Sequence, residues 1–153
     1  MYVREVFAGR YESRLNVTDF PNVRRLDWLY TVVPISVRAM RFHHLCSVTG
    51  HAWIGVIPRE RVIGLSTFNR ITEWVMARPQ IQEKAVMQLA DEIDALIMPQ
   101  GFGVVTRATQ SRMTARGVRE HDSTMTTSVM RGLLREKPAA RDKFMRLMRG
   151  QEF

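Results

Sequence analysis

The sequence contains a single cysteine, Cys46, among its 153 residues, and it has no long apolar run. One cysteine can form no disulfide within the chain, and it cannot supply a zinc site that needs two or four cysteines. Residues 28–33 and 53–57 are the longest apolar runs and are too short to span a bilayer, and the first residues lack the charged-then-apolar pattern of a signal peptide. These absences predict a cytoplasmic protein without membrane association.

Acidic residues are also in the minority. The 23 lysine and arginine residues outnumber the 15 acidic ones, which gives a net charge of +8 at pH 7 and indicates anionic partners. Much of this charge lies in residues 131–149, a predicted basic helix whose apolar face would carry Phe144, Leu147 and Met148. Because no aromatic stacking platform is interleaved with these charges, we interpret the helix as a solvated surface and expect no nucleic-acid binding.

The chain contains no internal repeat, low-complexity tract or domain linker. Its apolar fraction of 45% is sufficient for one hydrophobic core, so residues 1–153 are predicted to form a single domain. Residues 2–8 are predicted to form a short helix, and residues 16–25 a loop that contains Asp19 and Pro21.

Alternating apolar residues predict four strands, and helical spacing predicts two helices between the second and third of them. The predicted strands are residues 29–39, 50–57, 102–109 and 123–130, the first two forming a hairpin bent around residues 43–50. Ser66 is the predicted N-cap of a helix that ends near Met76, and a second helix over residues 86–97 is stopped by Pro99 and Gly101.

This order predicts an α+β fold, an antiparallel four-stranded sheet with helices on one face. Such a sheet leaves the edges of its outer strands exposed, and joining the sheets of several subunits into a barrel removes those edges. We therefore expect a homo-oligomer.

Three segments carry recognisable motifs. Residues 41–74 are RFHHLCSVTGHAWIGVIPRERVIGLSTFNRITEW, followed by RPQIQEK from residue 78 and ATQSRMTARGV from residue 108. They resemble the GTP cyclohydrolase I family, whose members carry Cys-Glu-His-His, Tyr-Ile-Pro-x-x-x-Val-Ile-Gly-Leu-Ser-Lys, Gln-Val-Gln-Glu and His-x-Cys-x-x-x-Arg-Gly segments in this order. The resemblance implies the tunnelling fold and a homo-oligomer, a pentamer or decamer, with active sites at subunit interfaces.

The resemblance places Arg41, His44 and Arg112 at the positions of the family's three zinc ligands. A guanidinium is a permanent cation with no lone pair to donate, so we expect no zinc and no other cofactor. Phe42 replaces a family glutamate, and Gln110 replaces a catalytic histidine. Ring opening of GTP by a zinc-activated water is therefore not expected.

Gln82 and Glu83 match the family residues that recognise guanine. A carboxylate can accept hydrogen bonds from the ring N–H and the exocyclic amine of guanine, so a guanine-like ligand is expected. The alternative is that Glu83 is a surface residue favoured by the helix dipole.

Phosphate recognition is only partly retained. The resemblance matches Ser66, Arg70 and Arg116 to residues that hold the triphosphate, but Thr67 replaces a lysine, which weakens an anion clamp. Salt bridges between subunits are the alternative role of Arg70 and Arg116.

Two arginines in place of zinc would face the five-membered ring of the base, where they could bind a carboxylate through paired hydrogen bonds. The base 7-carboxy-7-deazaguanine has a carboxylate there and keeps the guanine face. Our leading hypothesis is its metal-independent decarboxylation to 7-deazaguanine, with His43 or His44 as the acid and Arg41 and Arg112 orienting the carboxylate.

Three alternatives stay open. The chain could be a non-catalytic purine- or pterin-binding protein in which His43 and His44 are only interface residues. It could be a GTP cyclohydrolase with metal ligation rebuilt from His44, Cys46 and His51. It could also be a structural partner of a true cyclohydrolase subunit.

Overall fold

The computed structural model describes residues 19–21, 29–40, 47–77, 82–110 and 123–150. The elements, in chain order, are β1 (Asp19–Pro21), β2 (Tyr30–Met40), β3 (Ser47–Ile57), β4 (Arg61–Ile63), α1 (Leu65–Met76), α2 (Gln82–Ile97), β5 (Gly101–Gln110), β6 (Ser123–Gly132), α3 (Leu133–Glu136) and α4 (Pro138–Arg149). The helix predicted over residues 2–8 lies outside the described residues. None of the described helices is long and apolar enough to cross a bilayer.

The central feature is a four-stranded antiparallel sheet with the order β2-β3-β5-β6. The α+β class and the four predicted strands are thereby confirmed, although β3 begins at Ser47 rather than at residue 50. A register irregularity lies in β2 between Val32 and Ile35, next to Pro34. Proline cannot donate a ladder hydrogen bond, so an outer strand is the position in which a sheet tolerates it.

One face of the sheet packs against α1 and α2. Phe68, Ile71 and Val75 form the buried stripe of α1, and α2 contributes residues at the predicted helical spacing. The core on this side is completed by Ile35, Val37, Ala52, Ile54, Val56, Ile63, Met76, Ala85, Val86, Leu89, Ala90, Ile93, Ile97, Phe102 and Val104. This cluster is the main hydrophobic core of the chain.

The opposite face packs against α3 and α4. Leu134, Phe144 and Met148 cover Trp53, Ile57 and Val105 there. The prediction of helices on one face holds for α1 and α2, whereas α3 and α4 occupy the other face because alternate residues of β3 are apolar on both sides. Leu147, which we expected on the apolar face of the last helix, is 38% exposed.

Residues 16–25 were predicted to form a loop, and this prediction is wrong for β1. Its three residues pair antiparallel with β4, with Phe20 opposite Val62. The pairing is between residues about forty positions apart, so the local sequence, with an aspartate and a proline, gives no indication of it.

The predicted N-cap of α1 is also wrong. Gly64 occupies the N-cap in an extended conformation without a side-chain capping bond, and its carbonyl accepts hydrogen bonds from the backbone N–H groups of Thr67 and Phe68. Ser66 lies inside the first turn, where its side chain is exposed.

The basic segment over residues 131–149 is not one helix. β6 continues to Gly132, whose φ of 60° is a conformation that favours glycine. The short α3 follows and ends at Glu136. The next residue, Lys137, is extended because Pro138 begins α4 and disfavours a helical residue before it.

Candidate functional site

Two predicted site segments leave the sheet at the same end. Met40 pairs with Ser47, Val48 pairs with Gln110, and Gln110 pairs with Ser123. Residues 41–46 and 111–122, which connect these strand ends, lie outside the described residues. The predicted site residues in those connections are Arg41, His43, His44, Arg112 and Arg116. The strand pairing places Met40 and Gln110, the residues from which the two connections start, at the same end of the sheet.

Gln82, the first residue of α2, is directed toward the sheet. Its Nε2 lies 3.0 Å from Thr106 Oγ1, 3.3 Å from Thr127 Oγ1 and 3.3 Å from the carbonyl oxygen of Met125. Thr106 and Thr127 are cross-strand partners on β5 and β6, so one amide links α2 to both strands. The interaction fixes where α2 begins relative to the end of the sheet.

The other end of the same amide is unsatisfied. Gln82 Oε1 is buried and has no hydrogen-bond partner among the described residues. A buried acceptor without a donor is costly, so we expect this oxygen to accept a hydrogen bond from a residue outside the described part.

Glu83 follows Gln82 but is exposed, in the first turn of α2. The positive end of the helix dipole favours a carboxylate at this position. Gln82 therefore acts as an anchor toward the protein, while Glu83 is the residue of the pair that is accessible to a ligand.

The predicted phosphate-binding residues on α1 lie toward the other end of the helical layer, whereas Arg116 lies outside the described residues. Phe68 of α1 packs edge-on against Tyr30 with ring centroids 6.4 Å apart, and Tyr30 pairs with Val56. Val56 in turn pairs with Phe102, four residues along β5 from Thr106, an offset of about 13 Å.

Ser66, Thr67 and Arg70 precede or adjoin Phe68 at this far end, and both Ser66 and Arg70 are exposed. The twelve residues of α1 and the short connection after it separate them from Glu83. Within one chain the two predicted groups are therefore offset from each other along the sheet.

His51 was a candidate ligand in a rebuilt metal site, together with His44 and Cys46. It lies on β3 opposite Arg107 of β5 and is tilted against Trp53, with ring centroids 6.2 Å apart. Trp53 belongs to the cluster under α3 and α4, whereas Gln82 lies on the other face. His51 is thus directed away from the candidate purine site.

The donor set at the family's metal position does not fit zinc. Two of the three matched residues, Arg41 and Arg112, offer cationic guanidinium groups and no electron pair. Among the described residues, no cluster of three or more histidine, cysteine, aspartate or glutamate side chains has the proximity to hold a metal ion. We derive no chemical step through a metal.

The chain matches the GTP cyclohydrolase I family over residues 1–149. The chain belongs to the GTP cyclohydrolase I family. The motif match makes it a divergent member, because arginines stand at the positions of both zinc-binding cysteines. The family consists of oligomeric tunnelling-fold enzymes that act on small molecules of the purine and pterin type.

Curated relatives in the family are similar over most of this chain. The GTP cyclohydrolase 1 of Aliivibrio salmonicida is 33% identical over 146 residues, which are 95% of this chain and 67% of that relative. The GTP cyclohydrolase 1 of Shewanella amazonensis is 34% identical over 146 residues, which are 95% of this chain and 68% of that relative. Among solved structures, the apo archaeosine synthase QueF-Like matches with a TM-score of 0.47 and 14% identity, over 68% of this chain and 93% of that one.

Thr106 and Thr127 were missed by the sequence analysis. Thr106 is 2% exposed and follows the apolar pair Val104 and Val105. A polar residue on the inward side of an apolar strand is the signal that could have identified it, because such a residue needs a buried partner.

Proposed function

We propose that the chain is a metal-independent enzyme that removes the carboxylate of 7-carboxy-7-deazaguanine to give 7-deazaguanine. The observation that supports this proposal is that the connections containing Arg41 and Arg112 both leave the sheet at the end nearer to the Gln82 contacts. Met125, whose carbonyl accepts a hydrogen bond from Gln82, pairs with Ala108, two residues before the end of β5. This substrate requires one group that recognises its guanine-like edge and another that binds its carboxylate.

Glu83 would hold the guanine-like edge of the substrate. Its carboxylate accepts hydrogen bonds from the ring N–H and the exocyclic amine, and charge makes such bonds about twice as strong as neutral ones. Arg41 and Arg112 would bind the substrate carboxylate through paired N–H donors. Their contribution to the rate is positioning, because attraction that is equal in the ground and transition states does not accelerate a reaction.

His43 or His44 would supply the proton, since histidine changes protonation near neutral pH. The proton adds to C7 of the electron-rich five-membered ring. The bond between C7 and the carboxylate carbon then breaks, its electron pair returns to the ring, and carbon dioxide leaves. One proton is consumed for each carbon dioxide released and no electron is exchanged, so the reaction needs no redox cofactor.

The proposed active protein is a cytoplasmic homo-oligomer with its sites at subunit interfaces. The outer edges of β2 and β6 support this, because no described strand lies beside them and such edges favour pairing with another subunit. The remaining predicted substrate contacts are Gln110 at the end of β5 and Ser66, Thr67, Arg70 and Arg116, contributed across the interface.

The test is mass spectrometry of metal-free protein incubated separately with 7-carboxy-7-deazaguanine and with GTP. We expect loss of carbon dioxide from the first substrate and no change in GTP. Replacing both His43 and His44 with alanine should lower the rate about 100- to 10,000-fold, the usual contribution of a general acid.

Glu83→Gln should lower kcat/KM about 10- to 100-fold, because a neutral amide replaces the charged acceptor. Glu136→Gln is the matched control, since Glu136 is an exposed glutamate on α3, which packs on the opposite face of the sheet from Gln82, and it should leave the rate unchanged. Ring opening of GTP would overturn the proposal in favour of a rebuilt cyclohydrolase. Binding of the deazapurine without turnover would favour a non-catalytic binding protein.

A further inference from the structure

We propose that the sheet face opposite α1 and α2 carries a second anion site, specific for phosphate-type oxyanions and formed around Arg38, His51 and Arg107. This site does not depend on the proposed decarboxylation. It lies on the other side of the sheet from Gln82, which reaches Thr106 on the face covered by α1 and α2.

The register aligns these residues in two adjacent rows across the four strands. Both rows consist of residues that are neighbours on the same face, because cross-strand partners in an antiparallel sheet point to the same side. The first row is Arg38, Thr49, Thr109 and Thr124, and the second is Ser36, His51, Arg107 and Thr126.

The two rows are accessible in the chain. Seven of their eight residues are exposed and Thr109 is partly buried. The next row along the sheet contains Trp53 and Val105, where α3 and α4 begin to cover the face. The two rows thus form a polar shelf beside a helix-covered apolar region.

Every charge in the strands of this sheet is positive. The sequences of β2, β3, β5 and β6 contain arginine and histidine but neither aspartate nor glutamate. An anion above this face therefore meets cationic groups and hydroxyl donors without repulsion from a carboxylate of the sheet itself.

Trp53 organises the cationic part of the shelf. The guanidinium carbon of Arg107 lies 5.8 Å from the centroid of the Trp53 ring, a cation–π distance, and His51 packs against the same ring. Because Trp53 is only 5% exposed, it is a fixed support for the two side chains. Both groups are therefore partly positioned before any ligand arrives, which lowers the entropy lost on binding.

The spacing selects an extended anion rather than a single small ion. Arg38 and Arg107 are separated by two strand spacings and one row, about 12 Å between backbones. With Arg107 held on Trp53, the two guanidinium groups are too far apart to share one small anion, but each can bind a different phosphate group of one linear chain. The hydroxyls of Thr49, Thr124 and Thr126 offer additional donors of the kind found around phosphates.

The ligand class is accordingly a linear polyphosphate, either free or as the phosphate portion of a nucleotide. Inorganic tripolyphosphate is the probe, and isothermal titration calorimetry at about 0.15 M salt, where long-range attraction is screened, is the measurement. We expect binding with a Kd below about 1 mM. Guanosine triphosphate is measured beside it; binding of the nucleotide about tenfold or more tighter than tripolyphosphate would identify a nucleotide as the source, and equal affinity would identify the free polyphosphate.

The test variants are Arg38→Gln with Arg107→Gln, and Arg38→Gln with His51→Asn in case the first pair does not fold. The control is Arg146→Gln with Arg149→Gln, which removes the same charge from α4. Thermal unfolding verifies that each variant is folded. We expect the Kd for tripolyphosphate to rise at least about tenfold in the test variants and less than about twofold in the control and in Arg70→Gln.

Trp53 provides an independent readout. In a protein that carries Trp28→Phe and Trp74→Phe, tripolyphosphate should change the fluorescence of Trp53, and Arg38→Gln with Arg107→Gln should abolish that change. Absence of binding, equal weakening by the control pair, or loss of binding in Arg70→Gln alone would each overturn the proposal. The last result would place the anion at the phosphate-binding residues predicted on α1.

Discussion

Tyr30 places a phenol in the apolar layer beneath α1. Its ring packs edge-on against Phe68, and its hydroxyl is buried without a hydrogen-bond partner among the described residues. Burial disfavours the charged phenolate and raises the pKa of Tyr30 from 10.0 to about 12. The residue therefore makes stability depend on pH in a range where few other groups titrate.

The sign follows from linkage. In the unfolded chain Tyr30 loses its proton near pH 10, whereas in the folded chain its pKa keeps it neutral to about pH 12. The free energy of unfolding should fall across this window, by at most about 2 kcal/mol because the side chain is partly exposed. Urea unfolding of wild type and Tyr30→Phe between pH 9 and 12 measures it. The loss should be smaller in Tyr30→Phe, and equal losses would contradict the assignment to Tyr30.

The neighbouring residues Gln82 and Glu83 show how far sequence reasoning reaches at the scale of single residues. The motif identified both as guanine-recognition residues, but only Glu83 is exposed to a ligand. The amide of Gln82 is bonded to Thr106 and Thr127. That difference depends on strands more than twenty positions away, so no local pattern could reveal it.

At the scale of elements, Phe144 holds α4 against the sheet. Gly55 and Gly103 are cross-strand partners, and the Phe144 ring lies over both of them. A side chain at either glycine would occupy the space of the ring, so the absence of a Cβ permits the close approach of helix and sheet. Phe144 itself is fully buried.

Gly55→Ala should therefore destabilise the fold. The added methyl group would lie 2.6 Å from Cε2 of Phe144, which forces the ring or the helix to move at a cost of about 1–3 kcal/mol. Gly64→Ala is the control, because a Cβ there meets only Ser66 Oγ at 4.0 Å. Guanidinium chloride unfolding compares the two. Equal stability of both variants would show that α4 does not depend on this contact.

Much of the fold could be predicted from alternation and helical spacing, because β2, α1 and α2 each bury one consistent set of residues. What could not be predicted were contacts between distant segments. β1 pairs with β4, which lies about forty residues later in the chain. α3 and α4 pack on the second face of the sheet, where glycines contribute no apolar side chain to the sequence pattern. The candidate site was predicted from motifs alone, and its separation into two ends of the helical layer required the topology.

For the whole molecule, the outer strands are the feature that bears on assembly. β2 and β6 are the two outermost strands of the sheet, and within the described chain no strand lies beside their outer edges. Exposed edges with unpaired backbone groups favour pairing with another subunit. This agrees with the oligomeric character of the family.

Proline substitutions at two adjacent residues of β6, Ser128→Pro and Val129→Pro, should separate folding from assembly. Successive N–H groups of a strand point to opposite sides, so one proline removes a bond to β5 and the other removes only an outward N–H. We expect one variant to be destabilised and the other to fold with smaller assemblies, measured by circular dichroism and sedimentation velocity. If both proline variants fold and both keep the assembly mass of the wild type, assembly does not use this edge.

The covering of both sheet faces has a consequence for curvature. A ring closed by these sheets must enclose one helical layer, either α1 and α2 or α3 and α4, whichever way the sheet bends. Two subunits would give eight strands, and the interior of such a barrel is filled by side chains and has no room for helices about 10 Å wide. The lumen admits a helix from every subunit only at about sixteen strands or more, when the barrel is roughly 30 Å across. The two-sided packing of a single chain thus sets a lower limit of about four subunits on any closed ring that it builds.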